Sequence, residues 1–293
     1  MNNKNKVLLT SVGLALLSGI AATSSTFAWF TTTRTASISY SNATVTSSQS
    51  NLILTYKGST NTFTTAPAVG STGNISIVGG NQVTDISGDG ISFFKPIWSA
   101  DTGVATKIDP VTSAEGFYVE INVNIAIFGQ TNMNVYLGQG TGITPVSAAA
   151  ADIKAVAASR MAVLVGATPT VPTILYAPDA DYDVAGTPTN GHQYLDAASS
   201  TPVDVFANNA VADASKEIMT SPAVVAGPFA TSTTVAGATA GSLVASLTTT
   251  STNVDVTFRV WIEGEDVDAI NQVGNTALGG IFNVAINLYA LEA

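Results

Sequence analysis

The chain has no cysteine and a single histidine, His192, among its 293 residues. A disulfide framework and thiolate metal sites are therefore excluded. So are a His-pair zinc site and an HExxH motif. Charge is scarce as well. Ten Lys and Arg face 20 Asp and Glu, for a formal charge of −10, and only 10% of residues are charged, where soluble domains carry about a quarter. So few bases cannot neutralise a run of phosphates, which argues against nucleic acid as a partner. A basic patch for anionic lipid is missing too.

Nucleophile motifs are equally thin. A Ser-His-Asp site would need His192, which sits in the loop-like Asn190-Gly191-His192-Gln193 with no nucleophile elbow. Gly138-Gln139-Gly140-Thr141-Gly142 is glycine-rich but lacks the lysine of a phosphate loop. Two carboxylates alone serve glycosidases, yet no pairing is visible among the 20 acids. The expectation is a protein that is not an enzyme.

What is present is apolar and small-polar. Hydrophobic residues make up 46% of the chain, so it is not the low-hydrophobicity, high-charge type that stays disordered. A surface this poor in Lys and Glu is weakly defended against association. That suits a subunit built to assemble.

The first 45 residues are the most informative. Lys4 and Lys6 precede an apolar run from Val7 to Ala22, followed by small polar residues ending in Thr26-Phe27-Ala28. This is the pattern of a secretory signal peptide over residues 1–28. At about 16 residues the run is short for a membrane span, which needs about 20. An uncleaved anchor over Val7–Phe30 is the alternative. Cleavage after Ala28 moves the formal charge from −10 to −12, since Lys4 and Lys6 leave and no acid does. The expected product is secreted or displayed at the cell surface, free of the membrane.

Alternation dominates the remainder. In Phe117–Ile127 the odd positions are apolar, with Glu120, Asn122 and Asn124 between them, which predicts a strand with one wet face. Val254–Ile262 and Phe282–Leu288 repeat the pattern. Shorter candidates are Ala36–Tyr40, Asn51–Lys57, Asn74–Val78, Ile91–Phe94, Asn134–Leu137, Ala162–Val165 and Thr173–Tyr176. About ten short strands separated by Gly, Pro, Asn and Ser turns predict an all-β, jelly-roll-type sandwich over residues 46–293. One Ala-rich helix is expected over Ser147–Arg160, with Ser147 as its N-cap. Insertions are expected near 179–211 and 221–251, as surface elaborations or short extra strands.

Two acidic clusters qualify as sites. Asp179, Asp181 and Asp183 place three carboxylates at alternate positions after Pro178, a spacing like the start of a calcium loop, although a solvated acidic turn gives the same pattern. Ca²⁺ is the one ion the sequence suggests. The second cluster, Glu263-Gly264-Glu265-Asp266-Val267-Asp268, reads as support for a turn and a short helix start, with a metal contribution as the alternative. Arg259 and Trp261 share a strand face with Glu263, so an Arg259–Glu263 pair beneath Trp261 is expected.

The run Thr26-Phe27-Ala28-Trp29-Phe30-Thr31, its following Ser/Thr/Ala strands, and Asn51-Leu52-Ile53-Leu54 resemble the processing region of TasA/camelysin-type proteins. These are bacterial surface and biofilm-matrix proteins released by a dedicated signal peptidase. The likeness covers about the first 55 residues. Short pieces such as Ala158–Val163, Ile174–Pro178 and Arg259–Asp266 are similar to segments of other surface proteins with this N-terminal style. The resemblance implies a jelly-roll subunit of an extracellular filament, tube or matrix that polymerises with itself. In that family the freed N-terminal segment leaves its own domain and completes a sheet in its neighbour. Strand addition supplies main-chain hydrogen bonds, and alternate side chains fill pockets. The donor here would be Trp29 to Val45, with Trp29, Phe30, Ile38 and Tyr40 as anchors. The alternative is that this strand pairs within its own domain. Ile281–Tyr289 and Val254–Glu263 are the candidate acceptor strands, and an accessory protein that anchors or caps the assembly is a further expected partner. The camelysin branch is associated with metalloprotease activity, and this chain lacks a zinc set for it. A second function class is a monomeric adhesin or carbohydrate-binding module, with Trp98 and Trp261 as sugar platforms.

Overall fold

The computed structural model describes residues 38–47, 52–59, 65–79, 82–83, 85–98, 105–127, 132–178, 194–195, 202–203, 224–263 and 280–293. In chain order the strands are β1 (Ile38–Ser47), β2 (Leu52–Ser59), β3 (Ile75–Val78), β4 (Gln82–Val83), β5 (Asp85–Gly88), β6 (Phe93–Trp98), β7 (Ala105–Val111), β8 (Val119–Ile127) and β9 (Met133–Leu137). Then come β10 (Gly142–Pro145), the helix α1 (Ala150–Ala157), β11 (Ser159–Val165), β12 (Ile174–Tyr176), β13 (Tyr194–Leu195), β14 (Pro202–Val203), β15 (Val224–Val225), β16 (Leu243–Leu247), β17 (Asn253–Glu263) and β18 (Ile281–Glu292).

The fold is all-β, a jelly-roll-type sandwich of two main sheets with one short helix. The first sheet runs β16-β9-β18-β1-β3, with β10 beside β18 and β4 beside β1. The second runs β15-β12-β11-β17. The far side of β17 pairs with β8 over Asn253–Val260, then with β5 at Ile262–Glu263. Period-two alternation places one set of side chains from each sheet in a shared core. Ala43, Val45, Ile77, Val284, Ile286 and Leu288 come from the first sheet, and Leu54, Ile121, Val123, Ile125, Phe258 and Val260 from the second. A second cluster lies on the outer face of the second sheet, where Ile86, Phe93, Val111 and Tyr118 cover Ala162, Leu164, Leu175 and Trp261. The hairpin β6–β7 builds that cover, and Gly90 (φ +86°) in the turn before it allows close approach. A Cβ there would sit 2.7 Å from the Cβ of Ala162.

The helix is shorter than the sequence suggests. Its N-cap position is Ala149, with no side-chain cap. Ser147 lies two residues further out and donates its hydroxyl to Asp152 Oδ2 at 2.6 Å. The poly-Ala run offers helix propensity on both sides, but the backbone has already turned into β11 at Ser159. Of the segments expected as insertions, 224–251 supplies β15 and β16, and Phe229, Val244 and Leu247 from it are buried in the main core.

Candidate functional site

The N-terminal strand β1 is interior to its sheet. On one side it pairs in parallel with β18, from Ser39 opposite Ile281 to Ser47 opposite Leu288. On the other it meets β4 at Ile38–Ser39 and β3 at Asn42–Val45, both antiparallel. Alternation sends Ala43 and Val45 into the core, each fully buried. The intervening Thr44 and Thr46 are only part-buried. The Thr46 hydroxyl donates to Asn287 Oδ1 on β18. Asn287 is itself fixed by the β9–β10 turn: its Nδ2 donates to Gln139 O at 2.9 Å, and its backbone N–H donates to Thr141 Oγ1 at 2.9 Å.

The N-terminal end of β18 is held by a carboxylate. Asp152 on α1 accepts from the Ile281 backbone N–H at 2.8 Å and from the Ser147 N–H at 3.0 Å, besides the Ser147 hydroxyl. The Ser147 hydroxyl first, then the Ile281 N–H, hold its carboxyl below the ordinary aspartate value of 3.8. Gly280, immediately before β18, lets the helix close in: a Cβ there would lie 2.3 Å from Ala151 O.

Several of the remaining edges are guarded. Beside β2, Tyr56 N–H bonds Ser71 O, while Gly70 and Gly73 N–H bond Tyr56 O and Leu54 O, at 2.7–2.8 Å. Val78 N–H on β3 bonds Thr65 O at 2.9 Å. A bulge between Leu243 and Ala245 interrupts β16, and β7 carries Pro110. Bulges, proline and covering loops are among the devices that keep sheets from pairing edge to edge.

Among the anchors expected from sequence, Ile38 lies opposite Val83 and Tyr40 opposite Phe282. Trp29 and Phe30 lie outside the described residues, as do Asp179, Asp181 and Asp183. Among the described residues no group of three or more His, Asp or Glu could hold a metal ion, and no helix is long and apolar enough to cross a membrane. The two expected acceptor strands differ. β17 is paired along both sides, whereas the β18 partner on one side is the donor segment itself.

The pairing expected beneath Trp261 is different in the structure. Arg259 reaches across to Glu120 on β8, its register partner, at 2.9 Å. Glu263 instead accepts from Trp261 Nε1 at 3.2 Å. The cross-strand neighbour is closer than the residue four along the same strand, which lies beyond Trp261. Trp261 is fully buried with its ring edge-on to Phe93, so it is no sugar platform. Asp152 and Asn287, which fix the two ends of the site, carry no sequence signal beyond an Ala-rich helix and an outward Asn.

No family model, curated protein or solved structure matches this chain.

Proposed function

We propose that this chain is a structural subunit of an extracellular bacterial filament, tube or matrix, and that it polymerises by exchanging β1 between copies. The observation that carries the reading is the interior position of β1. It is the first described strand, nine residues separate it from the expected leader, and it contributes Ala43 and Val45 to the core from between β18 and β3. The edges at β2, β3 and β16 are guarded, so a second copy gains little by adding to them. A copy whose own β1 is withdrawn offers a slot with the backbone of β18 on one side and β3 on the other. The identical strand from a neighbour restores every lost contact, which is the economy of domain swapping. Because the donor leaves one copy to enter another, the contact is head-to-tail and propagates.

The TasA/camelysin resemblance of the first 55 residues supports the same reading, as does a surface with only 10% charged residues in the chain. Secretion follows from the leader pattern. The chemistry is assembly, with the chain as its own partner, and the shortage of bases argues against nucleic acid.

Electron microscopy of residues 29–293, with and without Ca²⁺, beside a chain beginning at Thr46, tests the proposal. Filaments or tubes from the first, and none from the second unless a peptide of residues 29–45 is added, support it. Folded monomers from both under every condition contradict it.

A further inference from the structure

The outer face of the second sheet carries a cleft of about 220 Å³ lined by Lys57 of β2, Asn122 of β8, Asp255 and Thr257 of β17, and the Gly166–Ala167 turn after β11. We infer that this cleft binds a neutral polyhydroxyl ligand, one sugar ring of a glycan, through a vicinal pair of hydroxyls.

The hydrogen-bond inventory of the cleft points to that chemistry. Asp255 Oδ1 accepts from Asn124 Nδ2 at 2.8 Å, while its Oδ2 has no donor among the described residues. Lys57 Nζ stands 4.0 Å from Asp255, too far for a hydrogen bond, and both side chains are about half exposed. Thr257 Oγ1 donates to Asn122 Oδ1 at 2.6 Å and so presents its lone pairs to the cleft as an acceptor. Asn122 Nδ2 has one long contact, 3.4 Å to Glu120 Oε1, and a second hydrogen to give. Donor (Lys57), acceptor (Asp255), donor (Asn122) and acceptor (Thr257) thus stand together on one face. A sugar hydroxyl is both donor and acceptor, so two adjacent hydroxyls satisfy such a set as no single-sign group does.

Charge separates the ligand classes. The Asp255 carboxylate repels an anion. A cation meets only one carboxylate, with an ammonium beside it, whereas Ca²⁺ takes about six to eight oxygen ligands. Lys57 and Asp255 cancel, and a neutral ligand pays neither penalty. The Gly166–Ala167 wall presents no bulk, since a Cβ at Gly166 would touch nothing within 4 Å. No aromatic ring lines the cleft, so stacking adds nothing and a single site binds weakly, with Kd of about a millimolar. The inference is independent of polymerisation, although repetition along a filament would multiply weak sites into avidity.

Saturation-transfer NMR on the full chain tests it, with methyl α-mannopyranoside, methyl β-galactopyranoside and methyl β-glucopyranoside as probes, and inorganic phosphate and Ca²⁺ as competitors. The expected result is transfer to at least one glycoside, weakened about tenfold or more by Asp255→Ala and by Thr257→Val, and unaffected by either ion. Both residues are at the surface or part-buried, and an unchanged melting temperature shows that the variants remain folded. Absence of transfer from all three glycosides overturns the inference. So does transfer that survives both substitutions, or that either ion displaces.

Discussion

Arg259 of β17 and Glu120 of β8 face each other in register, with the guanidinium Nε donating to the carboxylate at 2.9 Å. The same guanidinium donates through Nη1 to Gly90 O at 3.2 Å and Ile91 O at 3.0 Å, and lies 5.9 Å above the Phe93 ring and 5.7 Å from that of Tyr118. One side chain thus clasps the outer cover to the central sheet. Three hydrogen bonds from one planar fork suit this task, and the ammonium of lysine does not. Arg259→Lys and Glu120→Ala should each destabilise the protein by about 2–4 kcal/mol, because the first gives up the fork that joins Glu120 to Gly90 and Ile91 and the second leaves Arg259 Nε without its acceptor. Thermal denaturation checks this. At roughly 2–4 °C per kcal/mol for a domain of this size, both variants should melt clearly below the parent.

The Asp152 contact with Ile281 predicts an acid dependence. Hydrogen bonds depress the carboxyl in the folded chain. The stability it contributes is present above the unfolded value of 3.8 and is lost as pH falls through the lower folded value. Asp152→Asn should therefore melt lower than the parent near neutrality, with the gap narrowing below about pH 4. A pH series of melting curves measures it, and a gap that is constant across the series counts against this role.

Gly280 predicts a steric penalty. Gly280→Ala places a methyl 2.3 Å from a backbone oxygen of α1 and 2.7 Å from Ala155 Cβ. Backbone cannot move aside as a flexible side chain does, so the helix must shift away from β18, at a cost of about 1–3 kcal/mol. Chemical denaturation should show a lower midpoint at unchanged slope.

Val45 links stability to assembly. It is fully buried on β1, and Val45→Ala should cost about 1–3 kcal/mol through lost burial and a residual cavity. If β1 occupies the same slot in a neighbour, the variant weakens filaments as well as monomers, because the cavity travels with the donor. The dissociation temperature of filaments, followed by light scattering, should fall together with the monomer melting temperature.

Much of the fold was legible in the sequence. Val119, Ile121, Val123, Ile125 and Ile127 alternate against Glu120, Asn122 and Asn124, and that pattern alone places β8. The same holds for β17 and β18. Of the strands not picked out by pattern, β7 and β10 carry proline or glycine, β4, β5, β13, β14 and β15 run only two to four residues, and β16 lies in an Ala/Thr/Ser-rich stretch whose period is blurred because small residues fit either face. Partner choice was the harder problem. Arg259 and Glu120 are 139 residues apart, and only the strand register brings them together. Likewise, Asp152 reaches Ile281 across 129 residues. The N-terminal strand was legible as a strand, while its seat between β18 and β3 is a matter of topology that no local pattern encodes.

A disulfide between β1 and β18 tests the exchange of β1 most directly. Thr44 and Ala285 are register partners, neighbouring strands lie about 4.8 Å apart, and disulfides accept Cα separations of about 4.4–6.8 Å. The chain has no cysteine of its own, so Thr44→Cys with Ala285→Cys introduces the only thiols. Filaments grown from this double variant under reducing conditions are oxidised and run on a denaturing gel without reductant. Strand exchange predicts a ladder of covalent multimers that collapses to monomer on reduction. Filaments that yield only internally bridged monomer would show that β1 stays at home, and would contradict the account.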